Sequence, residues 1–273
     1  VIWREKENKL HSYKIKRAII AIKDIKEAKI LEDHIAYLKL VEFREDTPRE
    51  LDRALKDLKK QGMDSLVLDL RNNPGGLLDM AIAVSEMFLA KGQSIVSIKG
   101  RDVKQNADHK ANFKTPYADM PLVLLVNEGS ASGSEIVAGA LQDNKRAIIM
   151  GAGTFGKGSV QTVFPLRDGS ALKLTTSRYF TPKGISIHEK GIAPDIIVES
   201  KDPAKAAKGS EPEEKTKDLE MIFESVEDKK TKDEPVLQPL KELNVSDPAL
   251  ARAVEILKSL KIYKNFLKPE PNE

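Results

Sequence analysis

Short, mostly apolar runs alternate with segments of helical spacing along the chain. Each run is bounded by turn residues, which is typical of strands buried in a sheet. Strands are predicted at 66–68, 94–98 and 122–126, and helices at 47–61, 77–90 and 132–141. The first helix opens on the capping box Thr47-Pro48-Arg49-Glu50 and ends at Gly62. This alternation predicts βαβ units, a parallel sheet and therefore an α/β fold.

A parallel sheet makes the residues after its strands the first candidates for a site, because ligands of open α/β sheets collect beyond the carboxyl ends of the strands. Two turns follow predicted strands. One is Arg71 to Gly76, and the other is Gly-Ser-Ala-Ser-Gly-Ser-Glu-Ile at 129–136. Gly75 and Ser132 both come just after such a strand end, so we expect functional groups there.

Ser132 begins a predicted helix, and Ser132-x-x-Glu135 satisfies the capping-box pattern. A serine at this position is adjacent to unpaired backbone N–H groups, here those of Gly133 and Ser134, which can bind the oxyanion of an acyl-transfer intermediate. The simpler interpretation is that Ser132 is only an N-cap. A nucleophilic role requires a base.

Lys157 is the candidate base. The segment Gly151-x-x-x-x-Gly156-Lys157 resembles a phosphate-binding loop, but Gly158 replaces the required Ser or Thr, and a strand-like rather than helical pattern follows. A lysine acts as a general base when burial lowers its pKa to about 7–8. Its flanking glycines allow close backbone approach. The alternative is a solvated lysine in a turn.

Four motifs carry a resemblance to a known family: Leu68-Asp69-Leu70-Arg71-Asn72-Asn73-Pro74-Gly75-Gly76-Leu77, the Ser-Ala-Ser-Gly-Ser-Glu-Ile run, Gly156-Lys157-Gly158-Ser159-Val160-Gln161 and Gly191-Ile192-Ala193-Pro194-Asp195. In order and spacing they resemble the carboxyl-terminal processing peptidases, also called tail-specific proteases. The resemblance covers roughly residues 30–200.

The resemblance implies a role for each site residue. Ser132 is the nucleophile, Lys157, 25 positions later, is the base, and Gln161 orients the lysine. The oxyanion hole combines the amide of Gly133 with one from Gly75 or Gly76. Gly133 stands where the family usually has alanine, a change that a backbone donor tolerates. The implied activity is that of a serine endopeptidase acting through an acyl-enzyme near the carboxyl terminus of protein substrates, with a preference for apolar tails.

The resemblance also implies a fold and a domain organisation. The core is expected to be a ββα superhelix of the crotonase and Clp-peptidase type. Residues 1–25 are predicted to be the end of a PDZ domain and a connecting strand, with strands at 1–5 and 13–17, so that most of that domain is missing. Residues 26–200 are the predicted peptidase core, 201–234 a charged linker, and 235–273 a helical extension. The family implies a periplasmic or otherwise exported location.

Composition excludes several other functions. Basic and acidic residues nearly balance, 45 against 42, and only 5% of residues are aromatic, so no surface for nucleic acid is expected. The absence of cysteine excludes a thiol nucleophile, disulfides and thiolate metal sites. No metal or organic cofactor is predicted. No apolar run has the length of a membrane span. The predicted partners are protein or peptide tails.

Several alternatives stay open at this stage. Ser132, His188 and Asp195 are a conceivable triad, and a catalytically silent binding protein of the same fold is the second functional hypothesis. The unpatterned stretch 101–120 is either a flap over a cleft or a surface loop. The helix that opens at Asp247 packs on its own core or forms a homodimer contact. Ser170-Ala-Leu-Lys173 follows a hairpin signal at 167–169 and is interpreted as structural.

Overall fold

A computed structural model describes residues 1–4, 7–14, 23–198 and 247–266. The strands in these ranges are β1 Ile2–Arg4, β2 Lys9–His11, β3 Ile25–Ile30, β4 Ile35–Leu40, β5 Ser65–Asp69, β6 Ser94–Gly100, β7 Ala107–Lys110, β8 Leu122–Val126, β9 Ile148–Gly151, β10 Ser159–Pro165, β11 Ala171–Phe180 and β12 Ile196–Ile197. The α-helices are α1 Thr47–Lys60, α2 Leu78–Glu86, α3 Gly133–Asp143 and α4 Pro248–Phe266.

The main sheet has six strands in the order β12-β9-β8-β5-β4-β3. All neighbours are parallel except β3 and β4, which are antiparallel. Every residue of β5 and β8 is buried, as expected for strands covered on both faces. The predicted α/β fold and its parallel sheet are confirmed, whereas the superhelix stays a prediction.

The strand predicted at 94–98 is present, but its predicted place in the parallel sheet is wrong. It is β6, and it pairs antiparallel with β7 and β11 in a second, four-stranded sheet of order β10-β11-β6-β7. Strand β7 lies within the stretch 101–120, and Tyr117 and Met120 of the same stretch are buried. Parts of this segment are therefore packed into the fold, which a plain surface loop would not be, and a flap over a cleft stays a prediction. The sequence does not predict β7, because a polar strand at a sheet edge has no apolar run.

Helices cover both faces of the main sheet. On one face, buried residues of α1, α2 and α3, such as Leu55, Val84 and Val137, pack on Leu66 and Leu68. On the other face, α4 packs on side chains of opposite orientation in the same strands. These side chains are Ile35, Tyr37, Val67, Val123 and Leu125. The alternation along each strand follows from its period of two residues, so the two faces require two separate apolar sets.

Helix α4 confirms the helix predicted to open at Asp247, and its apolar face lies on the protein's own sheet. Ala253, Val254 and Leu257 are buried there, and burying a leucine of this kind stabilises the fold by about 1.5–3 kcal/mol. Ile262 and Tyr263 are exposed farther along the helix. A homodimer contact through α4 stays a prediction. The predicted linker 201–234 lies outside the described residues.

Two smaller expectations concern the amino-terminal half. Ile2–Arg4 forms the predicted strand, and it pairs with β2 in an exposed hairpin. The strand predicted at 13–17 is not seen at Tyr13 and Lys14, and its remainder lies outside the described residues. The predicted capping box at Thr47 is wrong: the N-cap position of α1 is Asp46, whose side chain makes no capping hydrogen bond, and the Thr47 hydroxyl donates to Asp24 instead. The proposed domain boundaries, including the PDZ remnant, stay predictions.

Among the helices of the described ranges, none combines the length and the apolar character that crossing a membrane requires.

Candidate active site

Ser132 lies at the join between β8 and α3 in an unusual backbone conformation. Its φ is +52° and its ψ is −111°, a region that costs a residue with a side chain about 1–3 kcal/mol and persists only where the surroundings enforce it. The enforcement comes from the neighbouring turn. The amide of Ala131 and the hydroxyl of Ser134 both donate to the carbonyl of Asn73, at 3.0 and 2.8 Å, and Ser130 Oγ donates to the carbonyl of Leu70 at 2.8 Å.

The turn from Arg71 to Gly76 packs directly against Ser132. A Cβ at Gly75 would lie 2.6 Å from the carbonyl oxygen of Ala131, 2.7 Å from the nitrogen of Gly133 and 2.8 Å from Ser132 Cβ. The φ of Gly75 is +100°, which also favours glycine. The two turns predicted to lie at the same edge of the sheet are therefore in contact, and they are held at the distance that a glycine permits.

Three backbone amides were predicted to supply an oxyanion hole. Gly133 is the first residue of α3, where an amide has no partner within the helix. The amide of Gly75 already donates to Asn73 Oδ1 at 2.9 Å. The amide of Gly76 donates to no acceptor in the part of the chain that the structure describes. Of the two alternatives in the Pro-Gly-Gly turn, Gly76 is the one with an available donor.

Glu135 links the serine to the lysine loop. This fully buried carboxylate accepts four hydrogen bonds. Its Oε2 accepts from the amides of Ser132 and Lys157, each at 2.8 Å. Its Oε1 accepts from the amide of Gly156 and the hydroxyl of Thr154, each at 2.6 Å. Because one oxygen binds both amides, the nitrogens of Ser132 and Lys157 lie no farther apart than twice 2.8 Å.

The pKa of Glu135 reflects two opposing effects. Burial raises it above the ordinary value of a glutamate, and the four hydrogen bonds lower it without cancelling the rise. All four partners are donors, so the arrangement suits an ionised carboxylate, which only accepts. The cost of burying the charge is offset by these hydrogen bonds, as it must be for a buried ion.

The side chains of Lys157 and Gln161 are both exposed. A lysine base needs burial to lower its amine pKa, so this conformation is not the buried one that the sequence predicts. The backbone, however, lies as expected. Gly158 touches the segment around His188, where a Cβ would lie 2.3 Å from the His188 nitrogen, and the Gly156 carbonyl accepts from the amide of Glu189 at 2.8 Å.

The alternative triad lacks its central contact. Asp195 Oδ2 accepts from the amide of Ile149 at 2.8 Å, and its Oδ1 accepts from Gln142 Nε2 at 2.9 Å. His188 Nδ1 is buried without a hydrogen-bond partner among the described residues. The carboxylate therefore braces β9 and α3 and does not orient a histidine. Ser170 lies in the turn between β10 and β11, and its hydroxyl donates to Asp168 at 2.6 Å.

Two residues of the site were not assigned a functional role by sequence reasoning. Glu135 was recognised only as the partner in a capping box, and Asn73 only as part of a motif. Asn73 is fully buried, and it binds Gly75, the Leu40 carbonyl through Nδ2 at 3.0 Å and the turn before α3. The capping-box pattern is a signal that leads to Glu135, but it does not reveal the contact with Lys157.

Known proteins resemble this chain over the region that contains the site. Residues 34–198 match peptidase family S41. A carboxy-terminal-processing protease of Bartonella bacilliformis is 48% identical over 196 residues, which cover 70% of this chain and 44% of that protein. A Staphylococcus haemolyticus protein named "Probable CtpA-like serine protease" is 42% identical over 187 residues, which cover 68% of this chain and 37% of that protein.

Solved structures of related proteases resemble this chain as well. The photosystem II D1 C-terminal processing protease superposes with a TM-score of 0.60 at 36% identity, covering 66% of this chain and 49% of that one. An S41 protease from Bacteroides fragilis superposes with a TM-score of 0.57 at 21% identity, covering 67% and 52% of the two chains, and this likeness concerns the fold alone. The chain spans less than half the length of the curated relatives it matches.

Proposed function

The chain belongs to peptidase family S41, and on this premise we propose that it is a serine endopeptidase cleaving protein substrates near their carboxyl termini. The observation that carries the proposal is the shared oxygen of Glu135, which binds the amides of Ser132 and Lys157 at 2.8 Å each. Two residues distant in sequence are thereby neighbours. One can supply a nucleophilic hydroxyl and the other a basic amine, the pairing used by Ser-Lys hydrolases.

The proposed reaction has two balanced halves. Ser132 Oγ attacks the scissile carbonyl carbon, and its proton passes to the neutral amine of Lys157. The resulting oxyanion accepts hydrogen bonds from the amides of Gly133 and Gly76. When the tetrahedral intermediate collapses, the C–N bond breaks and Lys157 returns the proton to the leaving amine. Water then attacks the ester of Ser132 by the same route, so that the acid product leaves and the serine is regenerated.

This mechanism requires a movement of the Lys157 side chain. Lys157 is exposed in this conformation, whereas a lysine that acts as a general base needs a site whose burial lowers its pKa. Because the backbone of Lys157 is already adjacent to that of Ser132, we propose that the side chain brings the amine to the hydroxyl without a displacement of the loop. A substrate lying over the site would exclude water and favour the neutral amine. Gln161, four residues later on β10, is proposed to hold the amine in that position.

The relatives' names support the choice of substrate class. Two of them are named for processing carboxyl termini, so we propose protein tails as substrates, with apolar residues preferred. We also propose an exported location, which the family resemblance implies, and a homodimer contact through α4. The exposed Lys157 side chain favours one competing function, a binding protein with this fold that no longer hydrolyses peptides.

A serine-directed fluorophosphonate probe separates these two functions. We expect the wild-type protein to be labelled at Ser132, as located by peptide mass spectrometry, and to cleave a peptide with an apolar carboxyl terminus. Ser132→Ala should abolish both, while its circular dichroism and melting temperature stay near those of the wild type. A folded wild-type protein that binds the peptide but is neither labelled nor active would establish the binding function. Undiminished cleavage by purified Ser132→Ala would contradict the nucleophile.

A further inference from the structure

We propose that Glu135 is a positioning residue, whose ionised carboxylate holds the nucleophile and the base loop at the spacing that catalysis requires. The proposal rests on the function proposed above and assigns Glu135 a role beyond the capping of α3. Glu135 does not touch the reacting atoms in the mechanism described. It acts through the backbone of Ser132 and through the loop from Thr154 to Gly158.

The geometry argues for a link between two elements rather than for a helix cap. A capping box uses the glutamate carboxylate for one contact, to the Ser132 amide. The other three hydrogen bonds go to the loop of the base, at Thr154, Gly156 and Lys157. Gly156 is buried and has a φ of +94°. Since most of the contacts point away from the helix, the main structural effect of Glu135 is to fix the loop.

The charge of Glu135 is as important as its shape. Four donors converge on two oxygens, and glutamine would turn one end of the group into a donor that faces other donors. At a fully buried position, water cannot replace the lost acceptor. We therefore expect Glu135→Gln to leave α3 in place but to release one side of the loop.

A small displacement of the loop is enough to affect the rate. A misplacement of 1 Å between reacting groups can lower the rate about 100-fold. Substrate binding in the cleft does not use the Glu135 carboxylate, since it is buried. The expected signature is therefore a fall in kcat with little change in KM, which a general loss of stability would not produce in the folded fraction.

The test compares Glu135→Gln with Asp195→Asn, a matched control in which a carboxylate that also accepts a backbone amide becomes an amide. Active sites are titrated with the fluorophosphonate probe, and kcat is expressed per titrated site. We expect Glu135→Gln to lose about 100-fold in kcat with KM within about twofold, and Asp195→Asn to retain at least a third of wild-type kcat. A folded Glu135→Gln protein with at least a third of wild-type kcat per site would overturn the proposal.

A second variant and a second measurement cover the remaining outcomes. If Glu135→Gln does not fold, Glu135→Asp keeps the charge but shortens the side chain, and the same fall in kcat is expected, whereas wild-type kcat would overturn the proposal. Amide hydrogen exchange of the peptide 152–158 needs no activity at all. We expect at least tenfold faster exchange in Glu135→Gln, with unchanged exchange overturning the link. An inactive, unlabelled wild type with this exchange result would refute the proposed function and retain the link.

Discussion

At the scale of single residues, the exposure of Lys157 distinguishes this conformation from the one that the proposed mechanism needs. Its backbone is bound beside Ser132 by Glu135, but its side chain is exposed. The spacing of 25 residues between Ser132 and Lys157 is enough to predict the pair, because the motifs lie on turns at the same edge of a sheet. It does not predict the rotamer of a long side chain, since several rotamers of an exposed lysine have nearly equal energy.

Substitution of Lys157 tests whether it acts as a base. Lys157→Arg should be as inactive as Lys157→Ala, with kcat lowered at least 100-fold, because a guanidinium stays protonated and cannot accept the serine proton. The matched control is His188→Gln, which removes the imidazole that would be the base of the rejected triad and should leave most of the rate. Steady-state cleavage of a peptide by the three purified variants gives the comparison. Substantial turnover by Lys157→Arg would make Lys157 an electrostatic residue instead.

At the scale of elements, prediction succeeded where the signal is local and failed where it depends on partners. The runs 66–68 and 122–126 became β5 and β8 because uninterrupted apolar residues require burial on both faces. Strand 94–98 has a similar composition, but its neighbours are β7 and β11. One of these is a polar strand without an apolar run, and the other lies about 80 residues later. No property of 94–98 itself specifies which sheet it joins.

The contact between the Pro-Gly-Gly turn and the start of α3 can be tested by substituting Gly75 and Gly133. Gly75→Ala should lower the melting temperature and abolish fluorophosphonate labelling, because its Cβ would lie within 2.6–2.8 Å of the backbone around Ser132 and its φ of +100° disfavours alanine. Gly133→Ala should fold and remain active. Its Cβ would lie 3.3 Å from Ala81 Cβ and Phe43 Cδ2, a contact that a small shift between the two helices and the Phe43 ring would relieve.

Thermal unfolding and fluorophosphonate labelling of Gly75→Ala and Gly133→Ala test these two expectations. The same comparison tests the oxyanion hole, since Gly133→Ala preserves the backbone amide that the hole uses. Loss of labelling in a stable Gly133→Ala protein would show that the space at this position, and not only its N–H group, is required.

At the scale of the whole molecule, α4 is connected to the turn that carries Gly75 and Gly76. Arg71 donates from Nη1 and Nη2 to the two oxygens of Asp247, at 2.9 and 2.7 Å, and it also binds Asp69, which is fully buried. Asp247 in turn caps α4 through the amide of Leu250 at 3.1 Å. The sequence predicts the helix from its own pattern, but not this ion pair, because the partners are 176 residues apart.

The last prediction concerns pH and stability. Burial raises the pKa of Asp247, but the hydrogen bonds from Arg71 and Leu250 outweigh this effect and hold it below the usual range. A carboxyl whose pKa is lowered by folding stabilises the protein above its unfolded pKa of about 3.9, and this contribution is lost as pH falls through the lower folded value. Asp247→Asn keeps the shape and an acceptor for the cap but loses the charge.

Urea unfolding at pH 7 should therefore find Asp247→Asn less stable than the wild type by about 1–3 kcal/mol, the usual contribution of a partly buried hydrogen bond to a charged group. The difference should narrow progressively below about pH 4, since Asp247 of the wild type then takes up a proton first in the unfolded protein and, at lower pH, in the folded protein as well. Asp52→Asn, which removes an exposed ion pair with Lys56, should show a much smaller difference at pH 7. A difference for Asp247→Asn that stays constant down to the lowest pH would assign the effect to packing at the start of α4 and not to the charge that joins this helix to the active-site turn.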